Sequence, residues 1–106
     1  MNLDDLATQL HWTAVQKKFW EDKVDVNFIL SKLALVHSEV SEVLEAVRKQ
    51  KGSQVVVEEI ADIIIRLLDL YEGMLEHGFV AHSLQQVLDD KAAFNKTRPE
   101  KHGVLA

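Results

Sequence analysis

Two pairs of acidic residues are the part of this 106-residue sequence best suited to carry chemistry. The first pair, Glu39 and Glu42, is separated by three positions, and the second pair, Glu59 and Asp62, has the same spacing. Side chains three positions apart share one face of a helix, so each pair would present two carboxylates together. Gly52 lies ten positions after Glu42 and ten before Asp62. If the chain forms a helical hairpin that turns at Gly52, this matched spacing predicts that all four carboxylates converge.

Four carboxylates in one small volume repel one another unless a cation lies among them. Ligation by oxygen alone suits a hard cation, Mg²⁺ or in its place Mn²⁺, rather than zinc. Mg²⁺ usually shares its coordination sphere with water and substrate phosphates, so such a site points to phosphate chemistry. The alternative is a solvated acidic helix face, on which Asp62 only forms a pair with Arg66 four positions later.

A basic stretch and an aromatic residue are the other candidates. Lys91 and Asn95 are four apart, and Lys96 and Arg98 follow them. These side chains could hold a polyphosphate, although cations near a helix C-terminus also complement the helix dipole. Trp12 belongs to an aromatic trio with Phe19 and Trp20, and a nucleotide base could stack on Trp12 or Trp20, although Trp side chains more often pack against the protein itself.

Composition excludes several other classes of function. Lys and Arg total 12 against 17 Asp and Glu, a net charge of −5, so a nucleic acid polymer is not an expected partner. The chain has no cysteine, which excludes disulfides and thiolate chemistry. Acidic and basic residues interrupt the apolar stretch 55–75, so we expect no membrane segment. The N-terminus does not resemble a signal peptide, and we expect a cytoplasmic protein.

Hydrophobic spacing predicts four helices, at about 3–20, 28–50, 54–77 and 81–95. Asn27 is the expected N-cap of the second helix. Gly52 and Gly78 are expected to end the second and third helices, and Pro99 to stop the fourth. The prediction is an all-α fold, a four-helix bundle protomer formed by one domain that spans 1–106. Apolar residues lie on most sides of the third helix, so we also expect assembly into a dimer or a higher oligomer.

The acidic pairs, on consecutive helices, resemble the motifs of the MazG-like all-α nucleoside triphosphate pyrophosphatases. The stretches 11–14, 19–21, 32–42 and 95–103 resemble the small single-domain members of that family in the same order. The resemblance implies Mg²⁺-dependent hydrolysis of nucleoside or deoxynucleoside triphosphates to the monophosphate and pyrophosphate, in the manner of an enzyme that cleanses the nucleotide pool. It also implies a homo-oligomer, either a dimer or a tetramer.

The resemblance assigns a role to each candidate residue. The residues that would ligate the metal and carry catalysis are Glu39, Glu42, Glu59 and Asp62. Those that would contact the nucleotide are Trp12, Lys91, Asn95, Lys96 and Arg98. Two departures from the family pattern stand out: Ser38 occupies a position where many members have Glu, and Lys17-Lys18 replaces a glycine that is common before the aromatic pair.

In the mechanism that these roles imply, bound Mg²⁺ neutralises the triphosphate and lowers the pKa of a bound water. The carboxylate least committed to the metal positions or deprotonates that water. Lys91 and Arg98 stabilise charge on the pyrophosphate leaving group. The sequence leaves open which carboxylate is the base and which base and sugar are preferred. The alternative function is a non-catalytic helical oligomerisation module with a solvated acidic face.

Overall fold

The computed structural model describes residues 2–99, and these form four α-helices with no strand among them. The helices are α1 (Leu3–Gln16), α2 (Val26–Arg48), α3 (Ser53–Glu76) and α4 (Leu84–Thr97). The predicted all-α fold is confirmed. The end of the stretch 95–103 lies outside the described residues. Within residues 2–99, no helix combines the length and apolar character needed to cross a bilayer.

Side-chain caps fix where three of the helices begin. Asn2, Asp25 and Ser83 each accept a hydrogen bond from the backbone N–H three residues later. The predicted cap at Asn27 is therefore wrong, because the carboxylate of Asp25 already satisfies a free donor of the first turn. Likewise α4 begins at Leu84 and not at Ala81, because Ser83 caps it.

Three of the helices end in the same hydrogen-bonded turn, a Schellman motif with one left-handed residue. The left-handed positions are Lys18 after α1, Gln50 after α2 and Gly78 after α3, with φ of 63°, 52° and 80°. The predicted extension of α1 to Trp20 is wrong because the chain reverses at Lys18. At the end of α2 the left-handed cap residue is Gln50, whereas Gly52, with φ of 101°, precedes α3.

The fourth helix ends as Pro99 predicts. Arg98 has φ of −74° and ψ of 146°, an extended conformation. The ring of a following proline disfavours helical backbone at the residue before it, so the helix stops at Thr97.

α3 is the central element and packs against both α1 and α2. The buried core is small and contains small side chains, which let the helices approach closely. The buried apolar residues are Ala7, Ala14, Ile29, Ala46, Leu68 and Leu70. α4 packs mainly against α1, and its first turn is tied to Asp4, which accepts hydrogen bonds from the Ser83 hydroxyl and the Gln85 backbone N–H.

Much apolar surface stays uncovered in the protomer. On α3 the side chains of Val57, Ile64 and Leu67 are 58%, 48% and 44% exposed. An apolar groove of about 640 Å³ lies between the helices and is lined by residues such as Leu33 and Leu88. The radius of gyration is 16.1 Å, whereas a compact chain of about 100 residues has a value near 13 Å. The protomer is therefore more open than a self-contained bundle of its size.

Gly73 of α3 gives a direct test of how Trp20 packs. A Cβ at Gly73 would overlap the indole ring of Trp20, which lies across this helix. We expect Gly73→Ala to lower the free energy of unfolding by roughly 1–3 kcal/mol, despite the better helix propensity of alanine, because overpacking displaces the ring. Urea denaturation followed by circular dichroism measures the change.

The control for Gly73→Ala is the same substitution in a Trp20→Leu background. Removal of the ring removes the overlap, so there the alanine should be neutral or stabilising. Equal losses in the two backgrounds would contradict the packing described.

Candidate metal and phosphate site

Three of the four predicted carboxylates meet at one point. Glu39 and Glu42 of α2 and Glu59 of α3 each place an oxygen atom within 4.8 Å of the other two. The short connection between α2 and α3 sets the register that brings them level. Asp62 lies one turn further along α3 and is not part of this acidic triad, but it lines the adjacent cavity together with Glu39.

The acidic triad has the donor set of a hard divalent cation. Two oxygens bound to one Mg²⁺ lie at most about 4.2 Å apart, which is twice the Mg–O bond length. The three oxygen atoms of the triad lie within 4.8 Å of one another, so side-chain rotations can bring them to this separation around one ion. The chemistry of the donors fits Mg²⁺ or Mn²⁺.

Repulsion within the acidic triad changes the acidity of Glu42. The negative charge of Glu39 is the main reason why the pKa of Glu42 is raised above its ordinary value of 4.5. Glu59 and Asp62 add to the effect, as does a hydrogen bond to Glu39. A bound cation would relieve this repulsion.

Arg66 of α3 is the cation that contacts the acidic triad. Its Nε donates to Oε1 of Glu39 at 2.7 Å, across the interface between α3 and α2. The alternative prediction, that Arg66 pairs with Asp62 on the same helix, is wrong: the guanidinium reaches the neighbouring helix instead. The side chain of Glu39 is only 13% exposed, so this pair is better shielded from water than a typical surface pair.

A cavity of about 290 Å³ adjoins the acidic triad. Its polar wall includes Glu39, Asp62 and Arg66, and its apolar wall includes Ala14 and Phe19. Ala14 and Phe19 are brought together by the Schellman turn at the end of α1, in which the Phe19 N–H donates to the Ala14 carbonyl at 3.0 Å. The cavity thus has an acidic side that contains an arginine, and an apolar side.

A hydrogen-bonded network around Asp69 supports the floor of this cavity. Asp69 Oδ1 lies 2.8 Å from Nδ1 of the buried His11, and the indole N–H of Trp20 donates to both Asp69 oxygens at 2.9 and 3.1 Å. Lys32 Nζ lies 4.9 Å from the Trp20 ring centroid and donates to the Phe19 carbonyl at 2.8 Å. Burial lowers the pKa of Lys32 below its ordinary value. The network joins α1, α2 and α3 beneath the site.

A second, smaller hollow lies on the other side of the acidic triad. It has a volume of about 230 Å³, and its lining includes Glu42, Glu59, Ser38 and Lys51. Ser38 therefore lies beside the acidic residues and offers a hydroxyl there. Lys51 supplies positive charge on this side.

The predicted nucleotide-binding residues lie apart from the acidic triad. Lys91, Asn95, Lys96 and Arg98 are exposed on and just after α4, and within residues 2–99 they line neither the triad nor the adjoining cavity. Trp12 is 64% exposed and lines a different cavity, formed by α1 and α3. In one protomer, these two groups of predicted site residues are not brought together.

Sequence reasoning named Phe19 only as one of three candidate aromatic residues, and it missed Asp69 and Arg66 as parts of the site. One signal was present: Asp69 follows Asp62 by seven positions, which is close to two helical turns and so places both on one face of α3. The role of Phe19 had no such signal, because it depends on the reversal of the chain at Lys18.

Comparison of the chain with family models, curated proteins and solved structures finds no match in any of the three. The resemblance to the MazG-like family therefore stays a prediction.

The raised pKa of Glu42 predicts how stability varies with pH without metal. Because the folded state holds this proton more tightly than the unfolded state, the contribution to stability is complete below the ordinary value of 4.5 and is lost as pH rises through the raised pKa. We expect Glu42→Gln to remove this loss, so its melting temperature should exceed that of the wild type at neutral pH and match it at low pH. Thermal melts in EDTA measure both.

Glu58→Gln is the matched control for the pH experiment. Glu58 lies next to Glu59 on α3 but is exposed and accepts a hydrogen bond from Gln54. Its loss should leave the pH profile of the wild type unchanged. If the melting temperature of Glu42→Gln varied with pH in parallel with that of the wild type, Glu42 would not be subject to the repulsion described.

Proposed function

We propose that this protein is a Mg²⁺-dependent hydrolase that converts nucleoside or deoxynucleoside triphosphates to the monophosphate and pyrophosphate. The observation that carries the proposal is the convergence of Glu39, Glu42 and Glu59 beside a cavity that contains an arginine. Carboxylates alone would attract cations of many kinds. The guanidinium at the cavity wall favours a ligand that is itself anionic, and a metal–triphosphate complex satisfies both parts.

Each residue has a distinct role in the proposed reaction. Glu39, Glu42 and Glu59 would hold Mg²⁺, which when bound supplies charge neutralisation and a more acidic water. Asp62, in the cavity wall and outside the triad, positions the attacking water and accepts its proton. As the water oxygen bonds to phosphorus, the bond between the α- and β-phosphates breaks and pyrophosphate leaves. Phe19 provides an apolar surface on the opposite wall, suited to a base.

The proposed functional unit is a homodimer or tetramer. The apolar groove lined by Leu33, Ile64 and Leu88 is too large and too exposed to be an ordinary surface of a monomer. A second copy would cover apolar surface that the protomer cannot bury alone. Ile64 is 48% exposed in this groove and is therefore a suitable probe of the proposed interface.

Assembly also bears on the basic stretch. Lys91 and Asn95 are exposed on α4, and within residues 2–99 they belong neither to the acidic triad nor to the lining of the adjoining cavity. We propose that Lys91, Asn95, Lys96 and Arg98 reach the cavity of a neighbouring protomer and there hold the triphosphate. This arrangement would keep the nucleotide-binding roles that the resemblance implies, with Trp12 near the base. The proposed role is the cleansing of the cytoplasmic nucleotide pool.

The first test of the proposed function separates metal binding from water positioning. Glu42→Gln should lower kcat/KM by more than the roughly 10- to 100-fold typical of losing an outer-shell partner, and should weaken Mn²⁺ binding. Asp62→Asn should lower kcat comparably and leave Mn²⁺ affinity within about threefold of the wild type, since it lies outside the triad. Pyrophosphate release and Mn²⁺ titration by electron paramagnetic resonance measure the two quantities.

Glu58→Gln again serves as the control and should retain wild-type turnover. If wild type and Glu42→Gln release no pyrophosphate from any nucleotide of a panel of canonical and modified triphosphates, the acidic face has no such catalytic role. The protein would then be better explained as the oligomerisation module that its exposed apolar surface also suits.

A second test asks whether two protomers share a site. Glu42→Gln and Lys91→Ala homo-oligomers should each be inactive or nearly so. When the two are mixed in urea and refolded together, heterodimers contain one intact site, so about a quarter of the wild-type activity should return. Light scattering should give a mass of at least twice 12.0 kDa for all samples. Mixed samples as inactive as their parents would place both residues in the same protomer's site.

A further inference from the structure

Arg66 occupies an unusual place among the charged residues of α3. It lies one turn after Asp62 and faces the same cavity, yet its ion pair crosses to Glu39 of α2. Glu39 is therefore shared, because it belongs to the acidic triad and also pairs with the arginine. Any cation that binds the triad must draw on the same carboxylate that holds Arg66.

The guanidinium has unused hydrogen-bonding capacity. Arginine carries five N–H donors, and within residues 2–99 only Nε of Arg66 forms a hydrogen bond. Its side chain is 45% exposed at the cavity wall, so the terminal nitrogens are accessible to a ligand that enters. The planar fork that they form matches the geometry of a phosphate group.

The other cation near this cavity has no such freedom. Lys32 Nζ donates to the Phe19 carbonyl and lies over the rings of Trp20 and Phe28, at 4.9 and 5.3 Å from their centroids. Its position is explained by the packing of the aromatic residues. Of these two cations, Arg66 is thus the one that lies next to the acidic triad and is available to an anion in this cavity, whereas Lys51 lies in the hollow on the other side of the triad.

We infer that Arg66 is an exchangeable counter-ion that binds a phosphate group of the substrate. Without metal, it neutralises part of the acidic triad by pairing with Glu39. When a divalent cation takes over Glu39, the arginine loses its partner beside an open cavity and turns its guanidinium to the phosphates that the metal brings. This inference rests on the proposed function and adds to it a phosphate-binding residue and a competition between arginine and metal.

The competition predicts effects of opposite sign in one variant. Arg66→Gln should bind Mn²⁺ alone about two- to fivefold more tightly than the wild type, because the rival cation for Glu39 is gone. With Mn²⁺ saturating, the same variant should bind imidodiphosphate about ten- to a hundredfold more weakly, because a charged hydrogen bond to phosphate is lost. Isothermal titration calorimetry on the full chain measures both affinities.

Arg48→Gln is the matched control, since it removes the same charge from the last turn of α2 at a residue outside the triad and the cavity. Both of its affinities should equal those of the wild type, and circular dichroism should show that both variants are folded. If Arg66→Gln lowers the affinity for both Mn²⁺ and imidodiphosphate, or changes neither affinity, the proposed exchange is wrong and Arg66 is only a structural ion-pair partner. If the wild type itself binds no Mn²⁺, the proposed function is wrong, and the proposed role of Arg66 is wrong as well.

Discussion

The hydrogen bonds that Asp69 accepts are the interaction on which the arrangement of this protein depends. Its two oxygens contact the indole of Trp20 and the imidazole of His11. Because His11 lies in α1 and Trp20 in the connection that follows it, these contacts attach both segments to the central helix α3. A carboxylate at this depth is stable only because several donors satisfy it. Since few large side chains are buried, polar contacts determine how the helices meet, and the cavity beside the acidic triad follows from that arrangement.

Like-charge repulsion is concentrated in the acidic triad. The hairpin of α2 and α3 forces three carboxylates together, and Glu42 responds with a raised pKa. Arg66 compensates only part of this charge. A protein selected for stability alone would gain from replacing one of the three acids by a neutral residue. Of the three acids Glu42 is exposed, whereas Glu39 and Glu59 are partly buried, and a bound cation would relieve their mutual repulsion, in agreement with the proposed metal.

The sequence predicted the helical fold and the meeting of Glu39, Glu42 and Glu59 because both depend on periodicity and on one short turn, although it wrongly added Asp62 to the cluster. Helix ends were less predictable: Lys18 and Gln50 adopt left-handed conformations that glycine would be expected to fill. The partner of Arg66 was mistaken, because spacing along one helix says nothing of a closer carboxylate on the next. The location of Lys91 relative to the acidic triad depends on where α4 packs, which no local pattern encodes.

The connection between α2 and α3 has a consequence for how this protein can evolve. Only four residues, 49–52, separate the two helices that supply the acidic triad. Lengthening α3 by one residue at its start would rotate its downstream side chains by about 100° and carry Glu59 away from Glu39 and Glu42. The seven-residue segment 77–83 between α3 and α4 bears no such restriction. Insertions and deletions in descendants of this chain should therefore accumulate at the second connection, while the first keeps its length even where its residues change.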